Sequence, residues 1–183
     1  MINSSVRRAT IDAIACLLAV LCLHCVAAKP SMGKSLEAIR EPRGEEAATF
    51  DYQSLDGRAV SAAAMRGKPT VLTFVTTDSL AAQAQVDFLV AMAKRDASAV
   101  NYAVVAIEPG DRRELVDLYR KVLHITFPVA IADGETLGGG GSFGDVRGVP
   151  VTVILDREGH VVWRADGRIA RSEELRSAMS GVQ

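Results

Sequence analysis

The side chains with the best placement for chemistry are Asp78 and Ser79, which stand where an apolar run ends and an alanine-rich segment begins (TFVTTDSLAAQ, residues 73–83). A serine hydroxyl becomes a nucleophile only beside a general base. No histidine or lysine occurs between residues 70 and 93, so Ser79 has no base nearby in sequence. The two side chains are instead predicted to cap a helix that starts here, by accepting free backbone N–H groups.

Thiol chemistry is the second possibility, and it depends on where the cysteines lie. The chain has three of them: Cys16, Cys22 and Cys25. They fall within residues 1–28, where Arg7 and Arg8 precede an apolar run that ends in small residues, a layout typical of a secretory signal peptide. Cleavage after Ala28 leaves a protein without any thiol. The alternative is that residues 11–28 stay on the protein as a membrane anchor.

Composition narrows the other functional classes. The net charge of −1 disfavours an electrostatic nucleic-acid binder. Beyond residue 28 the only histidines are His124 and His160, and no cysteine is left, so we predict neither a metal site nor a cofactor. Residues 138–141 are four glycines without the Gly-Lys-Ser/Thr of a phosphate-binding loop, and they are predicted to form a flexible loop.

Polarity divides the chain into three parts. Residues 1–28 form the export segment or anchor. Residues 29–47 are polar and contain two prolines and two glycines, which predicts a flexible tether. Residues 48–183 carry the periodic apolar patterns and form the predicted domain. Contact with a membrane is expected only through the N-terminal segment, if that segment is retained.

Strands and helices alternate in the predicted domain. A hairpin around the Asp56-Gly57 turn is followed by a β-α-β-α-β run, a second hairpin over residues 151–165, and a helix from Ser172. This order predicts an α/β fold with a central mixed sheet, helices on both faces and an N-terminal β-hairpin. In the two long helices the residues expected to face the core are Leu80, Ala84, Phe88, Ala91 and Met92, then Leu115, Leu118, Tyr119 and Val122.

Four stretches of the domain resemble the thioredoxin-like fold, and most closely the TlpA-like thiol–disulfide oxidoreductases of the cell envelope and the broader redoxin (AhpC-TSA-like) group. LDGRAVSAAAMRGKPTVLTF is similar to the family's opening hairpin and first core strand. VTTDSLAAQA stands where the family has a Cys-x-x-Cys flanked by tryptophans. GGGGSFGDV and RGVPVTVILDREGHVVWRADG are similar to the family's cis-proline segment, with the loop before it and the hairpin after it. The resemblance covers the chain from about residue 49 onwards.

The resemblance implies that the Cys-x-x-Cys positions are filled by Ser79, Leu80, Ala81 and Ala82. Thiol–disulfide exchange needs a thiolate, and neither cysteine of the motif is present. The chain is therefore identified as a degenerate member of the group, and no catalytic residue is predicted.

The resemblance also implies that Pro150 is cis and that the backbone of Val149 can pair with an extended peptide, by adding it as a strand. The candidate partner-binding residues are then Asp78, Ser79, Val149 and Pro150. The alternative is that Pro150 serves only as a turn that determines the fold.

These observations favour an exported, redox-inactive domain that acts as a binding or assembly module in the cell envelope, with an extended peptide or an envelope protein as its partner. Two alternatives stay open. One is a thiol–disulfide oxidoreductase or peroxidase-type redoxin of the TlpA-like class. The other is an envelope structural protein whose tether makes the contacts. The absence of cysteine from the predicted domain favours a protein that is not an enzyme.

Overall fold

A computed structural model describes residues 46–96 and 98–181. The predicted export segment and all but the last two residues of the predicted tether lie outside these ranges, so their boundaries stay predictions. In the described part, Ala48 is buried and its N–H donates to the Gly159 carbonyl over 2.9 Å, which ties the start of the domain to its last hairpin. No helix among the described residues is long and apolar enough to span a bilayer.

One mixed sheet organises the described part of the chain. Its strands are β1 (Asp51–Ser54), β2 (Val60–Ser61), β3 (Thr70–Val75), β4 (Asn101–Ala106), β5 (Val129–Ile131), β6 (Val151–Leu155) and β7 (Val161–Ala165). They lie in the order β2-β1-β5-β4-β3-β6-β7. Strands β3, β4 and β5 are parallel, and the hairpins β1–β2 and β6–β7 extend the sheet at its two edges in antiparallel fashion. The predicted mixed sheet with an N-terminal hairpin is confirmed.

Helices cover both faces of this sheet, as predicted, but unequally. They are α1 (Ala62–Met65), α2 (Leu80–Asp96), α3 (Arg113–Val122), α4 (Gly134–Leu137) and α5 (Ser172–Ser180). The long helices α2, α3 and α5 pack on one face. The short α1, the end of α4 and the loop of residues 138–148 pack on the other.

The central strand β3 positions the candidate site, because α2 follows directly from its end. All six of its residues are buried. Val71 and Val75 join the core under the long helices, whereas Leu72 and Phe74 join the core on the opposite face. This confirms the prediction of a central strand that is covered on both sides, as its continuous apolar run indicates.

The predicted inner face of α2 is confirmed at Met92 and wrong at Leu80, Phe88 and Ala91, which are exposed. Its buried residues are Ala82, Gln85, Val86, Leu89, Val90 and Met92. Leu80 and Phe88 are 82% and 44% exposed. The helix is rich in alanine on every side, so apolar periodicity alone supports more than one stripe, and packing against β3 and β4 selects the stripe that contains Ala82 and Val86.

The predicted inner face of α3 is wrong except at Tyr119, which is partly buried against the core. Val116 is fully buried, whereas Leu115, Leu118 and Val122 are 43%, 56% and 61% exposed, and Tyr119 is half-buried. Arg113 lies beside the sheet edge and donates from Nη2 to the Ser54 carbonyl over 3.0 Å. This orientation points Val116 at the core and leaves the larger apolar stripe on the outer surface.

Candidate functional site

The turn between β3 and α2 keeps its shape through a serine cap. The Ser79 hydroxyl oxygen accepts a hydrogen bond from the Ala82 N–H over 3.2 Å, and the Ser79 carbonyl accepts from the Gln83 N–H over 2.9 Å. The carboxylate of Asp78 is exposed and meets no hydrogen-bond partner within the described ranges. Of the two residues predicted to cap the helix, Ser79 therefore provides the cap, and its hydroxyl is already engaged.

The four positions predicted to correspond to Cys-x-x-Cys differ in exposure. Ser79 and Ala81 are half-buried, and Leu80 is 82% exposed. Ala82 is fully buried. The first position therefore reaches the surface at the start of α2, whereas the last lies against the core.

A buried carboxylate that the sequence reasoning missed supports this turn. Glu108 follows β4 and is only 4% exposed. Its Oε1 accepts from the N–H and the hydroxyl of Thr77, over 2.9 and 2.7 Å, and its Oε2 accepts from Arg112 over 3.2 Å. The carboxyl ends of the parallel strands β3 and β4 lie side by side. An acidic residue two positions after β4 could therefore have been predicted to contact the turn that follows β3.

Strand pairing brings Val149 and Pro150 to the end of the sheet where β3 leads into the turn before α2. The antiparallel register of β3 and β6 runs from Thr70 opposite Leu155 to Phe74 opposite Val151. One further step sets Pro150 beside Val75, at the start of the turn that leads to Ser79. The Val149–Pro150 peptide bond is cis, Pro150 is buried, and Val149 is partly exposed.

The backbone of Val149 is open. Neither its N–H nor its carbonyl has a hydrogen-bond partner among residues 46–96 and 98–181. Unpaired backbone groups are the groups that an added strand uses. The site can therefore offer main-chain hydrogen bonds.

The segment between the four glycines and Val149 is anchored, whereas the flexibility predicted for residues 138–141 stays a prediction. Phe143 packs against Phe50 and Phe74, with ring centroids 5.3 Å apart in each case. Arg164 of β7 donates to the carbonyls of Phe143 and Asp145. The sequence gives no local signal for this contact, because the loop and Arg164 are about twenty residues apart.

A cluster of possible metal ligands lies at the opposite end of β6. Oxygen and nitrogen atoms of Asp156, Glu158 and His160 lie within 4.8 Å of one another. Asp156 is buried, and its Oδ1 accepts from the N–H groups of Glu158 and His160 over 3.0 and 2.9 Å. These bonds are those of a carboxylate that stabilises the β6–β7 turn.

The comparisons with known proteins support the fold described above. No protein-family model and no curated protein matches the sequence. Among solved structures, a thio-disulfide isomerase from Thermus thermophilus is 28% identical with a TM-score of 0.61, and the match covers 77% of this chain and 96% of that one. A thiol:disulfide interchange protein of the thioredoxin family from Chlorobium tepidum is 23% identical with a TM-score of 0.62, over 74% and 94% of the two chains.

A third similar structure is a secreted disulfide oxidoreductase from Mycobacterium tuberculosis that is homologous to E. coli DsbE. It is 18% identical with a TM-score of 0.59, and the match covers 73% of this chain and 96% of that one. The chain thus has the thioredoxin-like fold, and these structural neighbours are thiol–disulfide oxidoreductases.

Proposed function

We propose that this chain is an exported, thioredoxin-like module that binds an extended polypeptide beside Pro150 without thiol chemistry of its own. The proposal rests on the backbone of Val149, whose N–H and carbonyl have no hydrogen-bond partner within the described ranges. Val149 lies near the end of β3, where the turn to α2 begins. The residue types of the turn support it as well, because Ser79 and Ala82 supply no thiolate and the Ser79 hydroxyl is engaged as a helix cap.

The N-terminal sequence and one structural neighbour support export. Residues 1–28 have the layout of a secretory signal. The Mycobacterium tuberculosis neighbour is described as secreted. An extracytoplasmic location is consistent with both, and the partner would then be a polypeptide of the cell envelope.

The alternative function is thiol–disulfide exchange, and the chemistry of the structural neighbours favours it. In this chain the only thiols are those of Cys16, Cys22 and Cys25. Reduction of insulin by the wild-type chain, with a parallel titration of its thiols, separates the two functions. We expect no turnover above the buffer rate. Turnover that persists in a chain with no titratable thiol would show a chemistry that the proposal excludes.

Polypeptide binding is tested with reduced, carboxymethylated α-lactalbumin, an unfolded chain that has no free thiol. Val149→Pro removes the N–H that an added strand needs, whereas Val149→Ala keeps it and serves as the matched control. We expect fluorescence anisotropy to show binding to the wild type and to Val149→Ala, and at least tenfold weaker binding to Val149→Pro, because a strand contact is lost.

Both variants must first show the circular dichroism of the wild type. Equal binding by a folded Val149→Pro variant would exclude strand addition at this residue. No binding by the wild type at any concentration would contradict the proposal and would favour the structural alternative, in which residues 29–47 make the contacts.

A further inference from the structure

The outer side of α3 carries an apolar stripe that nothing in the described chain covers. Leu115, Leu118 and Val122 are spaced by three and four residues and are 43%, 56% and 61% exposed. Single exposed apolar residues are ordinary on protein surfaces, but a contiguous row on one helix marks an interaction surface. The helix already buries Val116 on the sheet, so the stripe is additional to the packing that the fold requires.

The stripe lies between two grooves. One, of about 210 Å³, is lined by Leu115, Leu118 and Val122 together with Thr77 of the turn before α2 and Gln83 of α2. The other, of about 590 Å³, is lined by Leu118 and by charged residues of α3 that include Glu114 and Lys121. Leu118 thus forms a ridge with a concave surface on each side, a shape that can interlock with a similar ridge.

The charges beside the stripe are self-complementary: the acidic residue of one copy can pair with the basic residue of a second copy. Glu114 and Lys121 are exposed, are opposite in sign and are seven residues apart, so they lie on the same flank of the helix. Glu114 meets no charged partner within residues 46–96 and 98–181. Lys121 contacts Asp117 over 2.6 Å but remains 64% exposed.

We propose that α3 is a self-association surface on which two copies of this chain pair through antiparallel α3 helices. A two-fold axis beside Leu118, the centre of the stripe, sets each apolar row against the other. It also brings Glu114 of each copy near Lys121 of the second copy, twice by symmetry. Opposite charges at these flanking positions are the feature that sets orientation in paired helices.

The surface is short, and this determines the strength of the dimer. From Leu115 to Val122 the helix axis advances by only about 10 Å. The buried area therefore falls in the range of weak, transient contacts. We expect a monomer at low concentration that becomes a dimer as the concentration rises. Because Thr77 and Gln83 line the groove beside the stripe, the dimer forms next to the candidate site.

Sedimentation velocity of the full chain in a mild non-ionic detergent, over a range of concentrations, tests the apolar row. Leu118→Asp should keep the chain monomeric, because it puts two carboxylates at the axis. Ile169→Asp is the matched control, since Ile169 is an exposed apolar residue outside the stripe, at 37%, and it should leave the dimer intact. A wild type that stays monomeric, or a dimer that survives Leu118→Asp, would overturn the proposal.

A charge exchange tests the antiparallel arrangement. Glu114→Lys alone and Lys121→Glu alone should each raise the dissociation constant of the dimer about tenfold, since two attractions become two repulsions. An equimolar mixture of the two variants should recover the wild-type constant, because each repelling pair is replaced by an attracting one. A mixture that stays as weak as its components would contradict the antiparallel pairing. Unchanged melting temperatures exclude loss of folding as the cause.

Discussion

Glu108 holds the turn that precedes α2, because its carboxylate accepts both the N–H and the hydroxyl of Thr77. Arg112 on the other oxygen keeps this buried charge paired. The neighbouring candidate residue, Asp78, has no comparable role in the described structure. Two contacts therefore shape the turn, the Glu108–Thr77 pair and the Ser79 cap, and of these residues only Ser79 belongs to the pair that the sequence motif singled out.

Replacement of Glu108 should destabilise the protein more than replacement of an exposed acid. Glu108→Ala leaves the N–H of Thr77 without its partner, and we expect urea unfolding to show a loss of about 2 kcal/mol. Glu108→Gln keeps an acceptor and should lose less. Glu173→Ala, at an exposed position in the first turn of α5, should stay within about 0.5 kcal/mol. Equal losses for Glu108→Ala and Glu173→Ala would contradict the supporting role of Glu108.

The Asp56–Arg58 pair in the first hairpin turn should make stability depend on pH. A hydrogen bond from the Arg58 guanidinium lowers the pKa of Asp56 to about 2. Because this pKa is below its unfolded value, the contribution is complete above about pH 4 and is lost as the pH falls towards 2. The pair is close to solvent, so we expect less than about 1 kcal/mol.

The measurement for this pair is urea unfolding of the wild type and of Asp56→Asn at pH 6 and pH 3. The wild type should lose more stability than the variant between the two pH values. Asp51→Asn, which changes an exposed carboxyl of β1, is the control and should behave as the wild type does. Parallel pH dependences for the wild type and Asp56→Asn would show that the pair does not contribute.

Among the elements, α2 depends on its cap. Ser79→Ala removes the acceptor of the Ala82 N–H, and we expect thermal or urea unfolding to show a loss of about 1 kcal/mol. Asp78→Ala removes a carboxylate that accepts no hydrogen bond in the described structure, and it should change stability by much less. A larger loss of stability from Asp78→Ala than from Ser79→Ala would show that Ser79 is not the capping residue.

The elements also show what the sequence could predict. The strands β3, β6 and β7 were predictable because their apolar runs are short, rich in β-branched residues and bounded by turn residues. The side of α2 and of α3 that faces the sheet was not predictable. Each helix carries two apolar stripes, and only contact with the sheet determines which stripe is buried. The supporting roles of Glu108 and Arg164 were missed because the residues that they contact are distant in sequence.

At the scale of the whole molecule, the described residues have the thioredoxin-like fold, and the turn before α2 contains no cysteine. If the start of α2 and Pro150 retain their placement, Ser79→Cys with Ala82→Cys should acquire insulin-reducing activity, because a helix N-terminus lowers a thiol pKa. Ala91→Cys with Lys94→Cys, at the C-terminal end of the same helix and with the same spacing, is the matched control and should stay inactive. Both should be made with Cys16, Cys22 and Cys25 changed to serine.

The comparison of the two cysteine pairs shows whether the turn before α2 makes a thiol reactive. Activity in the first pair alone would mean that the position of the turn, rather than the presence of two thiols, supplies the reactivity. A folded Ser79→Cys/Ala82→Cys variant with an ordinary thiol pKa and no activity would contradict the correspondence between these residues and the Cys-x-x-Cys positions.

Hydrogen exchange at the Val149 amide, measured by NMR with and without reduced, carboxymethylated α-lactalbumin, tests the central claim most directly. This amide has no partner in the described structure of the free chain, and a bound strand would give it one. We predict that its exchange slows when the unfolded polypeptide is added, together with shift changes at Thr77 and Ser79. Binding that leaves the Val149 amide unprotected would contradict the claim that the polypeptide adds to the sheet beside Pro150.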